Sequence, residues 1–307
     1  MRSFQYLNAE SYPIELPLQK LKCKFGYTIK MSLTKELAEK GYAIRDVLSS
    51  DDCAYIRQLH DDWYKAEGHT LSRTHGIYKE LAGHQRFLWW ARTRPEVQAK
   101  FAEIWGTDLV TGFDGACYFT LQEKHRDNCW THTDQAPDTP GLQCIQGGLA
   151  LTENKERTLV VYEGSHLLWE PYMRERNLKG KKNWLKIDPA YLATIQDKKR
   201  VLHIKEGQMV FWDSRTFHQN QNGKIAEERL FLYICMLPRN HPDNTKAQAA
   251  KRQKYYRERR TTSHWPYPIH VNAKQPRTFG DTSMLIDYST ILQPQLDDLE
   301  EEIQKLL

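Results

Sequence analysis

Two histidines and one aspartate form the most informative pattern in this sequence. One residue separates His132 from Asp134, and His218 follows His132 after 86 residues. On a β-strand, residues i and i+2 face the same way, so His132 and Asp134 can reach one metal ion. Two imidazoles and a carboxylate occupy one face of the metal and leave the opposite positions open, as in non-haem Fe(II) centres that activate oxygen. The pattern therefore predicts a metal site with room for further ligands.

The same His-x-Asp spacing occurs at four places, so the surrounding sequence has to select among them. Residues 50–67 begin with serine and acids and have apolar residues at helical spacing, and a helix turns residues i and i+2 apart. His241 precedes Pro242 in a segment that we interpret as a turn. A strand argument also applies to His125 and Asp127, so that pair stays open as the alternative. The four pairs are His60–Asp62, His125–Asp127, His132–Asp134 and His241–Asp243.

Arg229 follows His218 by 11 residues and is a candidate anion-binding group. Residues 207–213 read as a turn glycine and an apolar strand, residues 220–224 as a turn, and residues 229–237 as an aromatic and β-branched strand. We therefore expect His218 and Arg229 to lie on neighbouring antiparallel strands. A guanidinium there can bind, through two hydrogen bonds, the distal carboxylate of a dicarboxylate that chelates the metal. The alternative is a surface arginine at the start of a core strand.

The segment from Tyr118 to Leu237 resembles the phytanoyl-CoA dioxygenase family of Fe(II)/2-oxoglutarate oxygenases. The resemblance lies in Trp130 with His132 and Asp134, in the strand from Leu159 to the Gly-Ser-His turn that ends at His166, and in His218 followed by Arg229. Trp130 favours His132–Asp134 over His125–Asp127. The loop 135–141 departs from the family pattern, which has a longer aromatic stretch there, so the substrate class of the family is not carried over.

The resemblance implies the roles of individual residues. His132, Asp134 and His218 would bind Fe(II), and Arg229 would bind the distal carboxylate of the cosubstrate 2-oxoglutarate. Two further residues are candidates for the cosubstrate pocket or the cavity wall, namely Asn220 and Gln146.

The resemblance also implies a fold and a reaction. The expected fold is mainly β with flanking helices, a double-stranded β-helix of the cupin-like jelly-roll type. The expected reaction consumes O2 and 2-oxoglutarate, releases succinate and CO2, and hydroxylates a small-molecule substrate, with ascorbate as a reductant. Desaturation or ring closure would use the same residues.

The sequence predicts one oxygenase domain over residues 1–307, with three parts. Residues 1–107 form an N-terminal helical elaboration, with helices expected at 50–67 and from Arg94-Pro95 to Gly106. Residues 108–238 form the jelly-roll core, with an insert at 169–199 that has the character of an active-site lid. Residues 239–307 form a C-terminal extension with a basic segment and an amphipathic helix at 296–306.

Composition restricts the class of protein. The chain of 307 residues is 40% hydrophobic and 27% charged, as in ordinary globular domains. It has no apolar run near the roughly 20 residues that span a bilayer, no secretory signal and no clear peroxisomal address, so we expect a cytoplasmic protein. Its six cysteines lack C-x-x-C spacing, which disfavours a disulfide framework or a zinc knuckle.

Two other function classes stay open at this point. The net charge is +5, and basic residues concentrate between Lys246 and Arg260, so a nucleic-acid partner is an alternative to a small molecule. A solvated helix that balances the acidic C-terminal helix is the plainer interpretation of that segment. A jelly-roll protein that binds a metal or ligand without catalysis is the other alternative.

Overall fold

Two antiparallel β-sheets pack against each other and form the core that positions the candidate site. In this computed structural model the described residues are 31–71, 73–78, 81–106, 108–123, 126–272, 280–285, 287 and 293–307. The larger sheet has seven strands in the order β1-β11-β7-β13-β5-β3-β2, the smaller has five in the order β10-β8-β12-β6-β9, and a separate pair joins β14 to β4. The strands are β1 (Tyr42–Asp46), β2 (Arg73–Thr74), β3 (Ile77–Tyr78), β4 (Leu109–Thr111), β5 (Ala116–Phe119), β6 (His132–Thr133), β7 (Ile145–Ala150), β8 (Leu159–Tyr162), β9 (Leu185–Lys186), β10 (Lys199–Val201), β11 (Gln208–Asp213), β12 (His218–Asn220), β13 (Arg229–Ile234) and β14 (Met236–Pro238).

Helices flank this pair of sheets. The described α-helices are α1 (Leu33–Lys40), α2 (Ser50–Ala66), α3 (Arg86–Arg92), α4 (Pro95–Trp105), α5 (Ser165–Glu175), α6 (Pro189–Thr194), α7 (Lys246–Arg257) and α8 (Glu300–Lys305). Within the described ranges, none of them combines the length and the apolar composition that crossing a bilayer requires.

Local sequence signals explain where the two best-predicted helices begin and end. Ser49 and Asp52 form a reciprocal capping box at the start of α2, which satisfies backbone donors of its first turn. Pro95 starts α4, and Gly106 ends it in the left-handed conformation with φ of 62°. Both helices confirm the sequence prediction. The C-terminal helix is shorter than expected, because residues 297–299 form a 3-10 turn before α8.

Alternation along the strands of the larger sheet separates two apolar clusters. On β13, Leu230, Leu232 and Ile234 pack outward against the helices, and Phe231 packs inward against Leu159 of the smaller sheet. The period of two in strand side chains thus gives each strand one face toward the helices and one toward the interior between the sheets. This is the double-stranded β-helix, or jelly roll, that the sequence predicts.

A close contact between β7 and β13 shapes the interior. A Cβ atom at Gly148 would lie 2.1 Å from the ring of Phe231, and the Arg229 guanidinium lies 4.7 Å from the centre of the same ring. The absence of a side chain at position 148 therefore gives Phe231 its place beside Arg229.

We expect Gly148→Ala to destabilise the fold by roughly 1–3 kcal/mol, because the added methyl group overpacks the interior. Chemical denaturation measures the free energy of unfolding. A double-mutant cycle with Phe231→Leu identifies the cause. The Phe231→Leu substitution should destabilise the fold less in the Gly148→Ala background than in the wild type, because leucine leaves room for the added methyl group. Strictly additive effects would show that the two positions do not compete for space.

Candidate metal centre

The strand pairing of the smaller sheet brings the three predicted ligands together. His132 on β6 is the register partner of His218 on β12, and Asp134 follows directly after β6. One ligand atom from each of the three side chains lies within 4.8 Å of the others, and all three residues are buried. His132 Nε2 lies 3.4 Å from Asp134 Oδ1, and His218 Nε2 lies 3.3 Å from Asp134 Oδ2. One metal ion can therefore contact all three.

Backbone carbonyls orient both imidazoles. His132 Nδ1 lies 3.2 Å from the Trp130 carbonyl oxygen, and His218 Nδ1 lies 2.9 Å from the Thr216 carbonyl oxygen. A carbonyl only accepts hydrogen bonds, so each Nδ1 carries a proton, and each Nε2, on the side of Asp134, is the atom that would bind a metal. This arrangement is common for histidines that bind metals.

Burial and mutual charge place the ligands in the protonation states that a metal needs. Burial lowers the pKa of His132, which favours the neutral imidazole. Burial alone would raise the pKa of Asp134, but His132 and His218 hold that pKa well below its ordinary value. Gln146, on β7, donates a hydrogen bond of 3.1 Å from Nε2 to Asp134 Oδ2, so its contact is with the ligand carboxylate.

Aromatic rings enclose His132 on both faces. The Trp130 ring stacks on it with centroids 5.0 Å apart and an angle of 12°, and the Trp184 ring lies 5.5 Å away at 27°. Trp184 belongs to the insert 169–199, where β9 pairs with β6 through Lys186 and His132. The insert therefore forms the edge of the sheet that carries a metal ligand.

Arg229 is fully buried on the inner face of β13. Its Nε, Nη1 and Nη2 atoms have no hydrogen-bond partner among the described residues. Asn220 donates a hydrogen bond of 2.9 Å to the Tyr233 hydroxyl, while its own side-chain oxygen is buried without a partner. Buried polar groups in proteins are almost always paired. The three unsatisfied donors of Arg229 fit an anionic ligand, whereas the Asn220 oxygen requires a hydrogen-bond donor.

A cavity of about 360 Å³ lies against the three predicted metal ligands, and its volume is within the range of small-molecule sites. Arg229 itself does not line it, whereas Asn220 and Tyr233 do. Its wall consists of Ile77, Asp114, Trp130, His132, Asp134, Gln146, Leu159, Asn183, Trp184, Trp212, His218, Asn220, Tyr233, Ser263, His264 and Asn272.

The described residues of the other His-x-Asp pairs lie elsewhere. His60 is buried within α2 and contacts Asp61 rather than Asp62. His241 and Asp243 line a different cavity with Trp265 and Tyr267. His125 lies outside the described residues, while Asp127 is exposed and accepts hydrogen bonds from the backbone of Asn222 and Gly223.

The predicted relation between His218 and Arg229 was wrong. β12 belongs to the five-stranded sheet and β13 to the seven-stranded sheet, so the two strands are not neighbours. The chain crosses from one sheet to the other between them, at a corner of the jelly roll. Both residues are nevertheless buried in the core that the two sheets share.

The basic segment is only partly a charged surface. Arg252 is 1% exposed, and its guanidinium donates to the backbone carbonyls of Leu307 and Pro266 and to the Asn244 side chain. Tyr256 donates to Glu300, which joins α7 to the acidic helix α8. The contact agrees with a basic segment that balances the acidic C-terminal helix and does not support a nucleic-acid interface, but Arg252 is buried rather than solvated.

The described cysteines, Cys53, Cys117, Cys129, Cys144 and Cys235, are free, and Cys129 is exposed rather than among the metal-binding residues.

Sequence reasoning missed several lining residues, among them Asp114, Trp184, Ser263 and His264. Trp184 lies in the insert 169–199, which the sequence predicted as a lid without singling out this residue. Asp114 stands between two glycines, Gly112 and Gly115, close to the start of a strand, and a polar residue at such a break was a usable signal. Ser263 and His264 had no local signal, because they reach the cavity only through tertiary packing.

A curated protein is similar to part of this chain. No family model matches the chain. The curated protein "Ava biosynthesis cluster protein O" of Aspergillus versicolor is 29% identical over 152 residues, which is 43% of this chain and 49% of that protein. The chain thus spans about half the length of the curated relative it matches.

Two solved structures are similar to this chain over about two thirds of its length. EctD from S. alaskensis, crystallised with 2-oxoglutarate and 5-hydroxyectoine, is 14% identical, with a TM-score of 0.50 over 68% of this chain and 76% of that chain. The epimerase SnoN, in complex with Fe3+, alpha ketoglutarate and nogalamycin RO, is 18% identical, with a TM-score of 0.49 over 67% of this chain and 82% of that chain. At these identities the likeness to EctD shows the jelly-roll fold alone.

Proposed function

We propose that the protein is an Fe(II)/2-oxoglutarate-dependent dioxygenase that hydroxylates a small molecule and releases succinate and CO2. His132, Asp134 and His218 would hold the iron. The observation that carries the proposal is Arg229, a fully buried guanidinium with three unpartnered nitrogens in the same core as the three ligands. A buried cation without a counterion is costly, and the distal carboxylate of 2-oxoglutarate would supply one.

The residues have separate tasks in this proposal. When bound, Fe(II) with 2-oxoglutarate and O2 supplies the oxidising power to attack a C–H bond. Arg229 would bind the distal carboxylate of the cosubstrate, and Asn220 would donate its second side-chain N–H to the same ligand, since its first goes to the Tyr233 hydroxyl. Gln146, which sequence reasoning placed in the cosubstrate pocket, would act instead by fixing Asp134 through its hydrogen bond. The aromatic rings on both sides of His132 would exclude water from the ligand.

Removal of any one ligand should abolish stoichiometric Fe(II) binding. We expect this for His132→Ala, Asp134→Ala and His218→Ala, because each leaves two ligands on a metal that needs three from the protein. Anaerobic equilibrium dialysis measures the bound iron, and circular dichroism reports whether the fold is retained.

Two control variants sharpen the assignment of the ligands. His241→Ala removes a histidine from a His-x-Asp pair outside the metal centre and should bind iron as the wild type does. His125→Ala tests the alternative pair in the same way. Loss of iron in His125→Ala with normal binding by His132→Ala would transfer the site to residues 125–127. Iron binding by the wild type without conversion of 2-oxoglutarate to succinate would favour the non-catalytic binding protein.

Replacement of Arg229 should remove cosubstrate binding and leave the iron in place. Truncation of one partner of a buried charge pair costs roughly 2–5 kcal/mol, so Arg229→Ala should weaken 2-oxoglutarate binding by that amount. Arg229→Lys should recover little, because an ammonium cannot reproduce a two-pronged contact. Isothermal titration of the Fe(II)-loaded protein measures the affinity.

The stability of the same variant gives a second result. Without the cosubstrate, Arg229→Ala should lower the free energy of unfolding by less than the truncation of a hydrogen-bonded buried arginine does, because no hydrogen bond is broken. Unchanged 2-oxoglutarate affinity in Arg229→Ala would refute the assignment.

A further inference from the structure

A second group of polar side chains lines the metal cavity without contacting the metal ligands. Asp114, Ser263 and His264 belong to this group. Nothing in the binding of iron or 2-oxoglutarate proposed above uses them. Their place in the same cavity makes them candidates for contact with the substrate.

Packing between two distant segments creates this group. The Thr262 backbone nitrogen donates to the Phe113 carbonyl at 2.9 Å, and the Phe113 nitrogen donates to the Thr262 hydroxyl at 2.9 Å. A Cβ atom at Gly112 would lie 2.5 Å from the His264 carbonyl oxygen, so glycine permits this approach. The contacts place Asp114 next to the segment that carries Ser263 and His264.

Ser263 and His264 present unsatisfied polar atoms. The Ser263 hydroxyl and His264 Nε2 are buried and have no hydrogen-bond partner within the described part of the chain. Burial lowers the pKa of His264 to about 4, so this imidazole is neutral at physiological pH. A buried polar group without a hydrogen bond destabilises the protein, and a ligand with matching polar atoms would remove this energetic penalty.

Asp114 is a carboxyl group without a strong partner. Its described hydrogen bond comes from the Gly115 backbone nitrogen, at 2.8 Å. Arg92 is buried nearby, but its guanidinium donates to the carbonyl oxygens of Gly83 and of Asp114 itself rather than to the carboxylate. Burial raises the pKa of the Asp114 carboxyl to about 7. A cation placed against it would stabilise the ionised form.

The charge of the cavity wall favours a cationic ligand over an anionic one. No lysine or arginine occurs among the described residues that line the cavity. Lys182, on the insert, lies over the Trp184 ring at 5.5 Å from its centre and is not part of the lining. With iron and 2-oxoglutarate bound, the charges of the metal, Asp134, the cosubstrate and Arg229 cancel. Asp114 is then a lining acid whose carboxylate accepts no side-chain hydrogen bond in the described part of the chain, and the buried Arg92 guanidinium, which does not line the cavity, is the positive charge that acts on it.

The remaining wall is aromatic. Trp130, Trp184 and Trp212 all line the cavity. Indole faces attract both flat unsaturated groups and organic cations. Acyl-coenzyme A thioesters and nucleic acids carry phosphates, for which this lining offers no basic group.

We propose that Asp114, Ser263 and His264 are substrate-binding residues, and that the substrate is a flat, unsaturated small molecule with a basic nitrogen that pairs with the Asp114 carboxylate. The inference rests on the proposed oxygenase function, because it assigns the substrate class of that site. It makes Asp114 the determinant of specificity for a cation.

The experiment compares two probes of the same shape that differ in charge. Phenethylamine is a cation at neutral pH, and 2-phenylethanol is its neutral counterpart. Isothermal titration into the full chain, loaded anaerobically with Fe(II) and 2-oxoglutarate, should give at least tenfold tighter binding of the amine. In Asp114→Asn the amine should lose at least tenfold in affinity, while the affinity for the alcohol stays within twofold.

Controls separate this proposal from the proposed function. Asp51→Asn removes an exposed acid from the first turn of α2 and tests for an effect of overall charge, so it should bind both probes as the wild type does. Iron and 2-oxoglutarate binding are measured first in every variant. If the wild-type protein does not bind iron and 2-oxoglutarate, the proposed oxygenase function is contradicted. Titration of the two probes into the unloaded protein would still test whether Asp114 binds the amine. Equal affinities, tighter binding of the alcohol, an amine preference that survives in Asp114→Asn, or no binding of either probe at millimolar concentration would each overturn the proposal.

Discussion

The candidate site depends on the pairing of two short strands. β6 contains two residues and β12 three, and their shared register pair is His132 opposite His218. Because one slip of register turns every side chain to the other face, a shift there would separate the imidazoles. The neighbouring strands prevent such a slip, since β12 also pairs with β8 over His218 to Asn220 and β6 pairs with β9. The insert that supplies β9 is thus part of the metal centre.

The buried charges of the candidate site favour the binding of charged ligands. The core holds an ionised Asp134 beside His132 and His218 and, on the facing sheet, a guanidinium without a hydrogen-bond partner among the described residues. In a medium of low dielectric constant such charges strongly favour partners of opposite sign. A divalent metal and a dicarboxylate satisfy both at once. The unpaired buried atoms of Arg229 destabilise the ligand-free protein, and the proposed function gives a reason for their presence.

The sequence predicted those features that depend on local patterns. The helix α2 follows from a local pattern, and the shared face of His132 and Asp134 follows from strand spacing. The jelly-roll class and the choice among the His-x-Asp pairs were implied by the family resemblance. The error over His218 and Arg229 has a physical reason. A polar stretch such as residues 220–228 suits a hairpin and a crossing between sheets equally well, and only packing of the whole core decides between them.

Other features were beyond the reach of sequence patterns. Arginine is usually a surface residue, but Arg252 is buried. Three oxygen acceptors, from Asn244, Pro266 and Leu307, converge on its guanidinium. The contact of Gln146 with Asp134 and the close approach of Gly112 to the His264 carbonyl likewise depend on tertiary packing.

The central claim is that one ligand bridges the metal centre and Arg229, and a change in the ligand tests it most directly. 2-Oxopentanoate has the keto acid group and chain length of 2-oxoglutarate but ends in a methyl group. Both should be titrated anaerobically into the Fe(II)-loaded protein, with the charge-transfer absorbance of the iron chelate as the signal. The account predicts that 2-oxopentanoate binds more weakly by roughly 2–5 kcal/mol, the cost of leaving a buried charge unpaired. Equal affinities of the two ligands would contradict it.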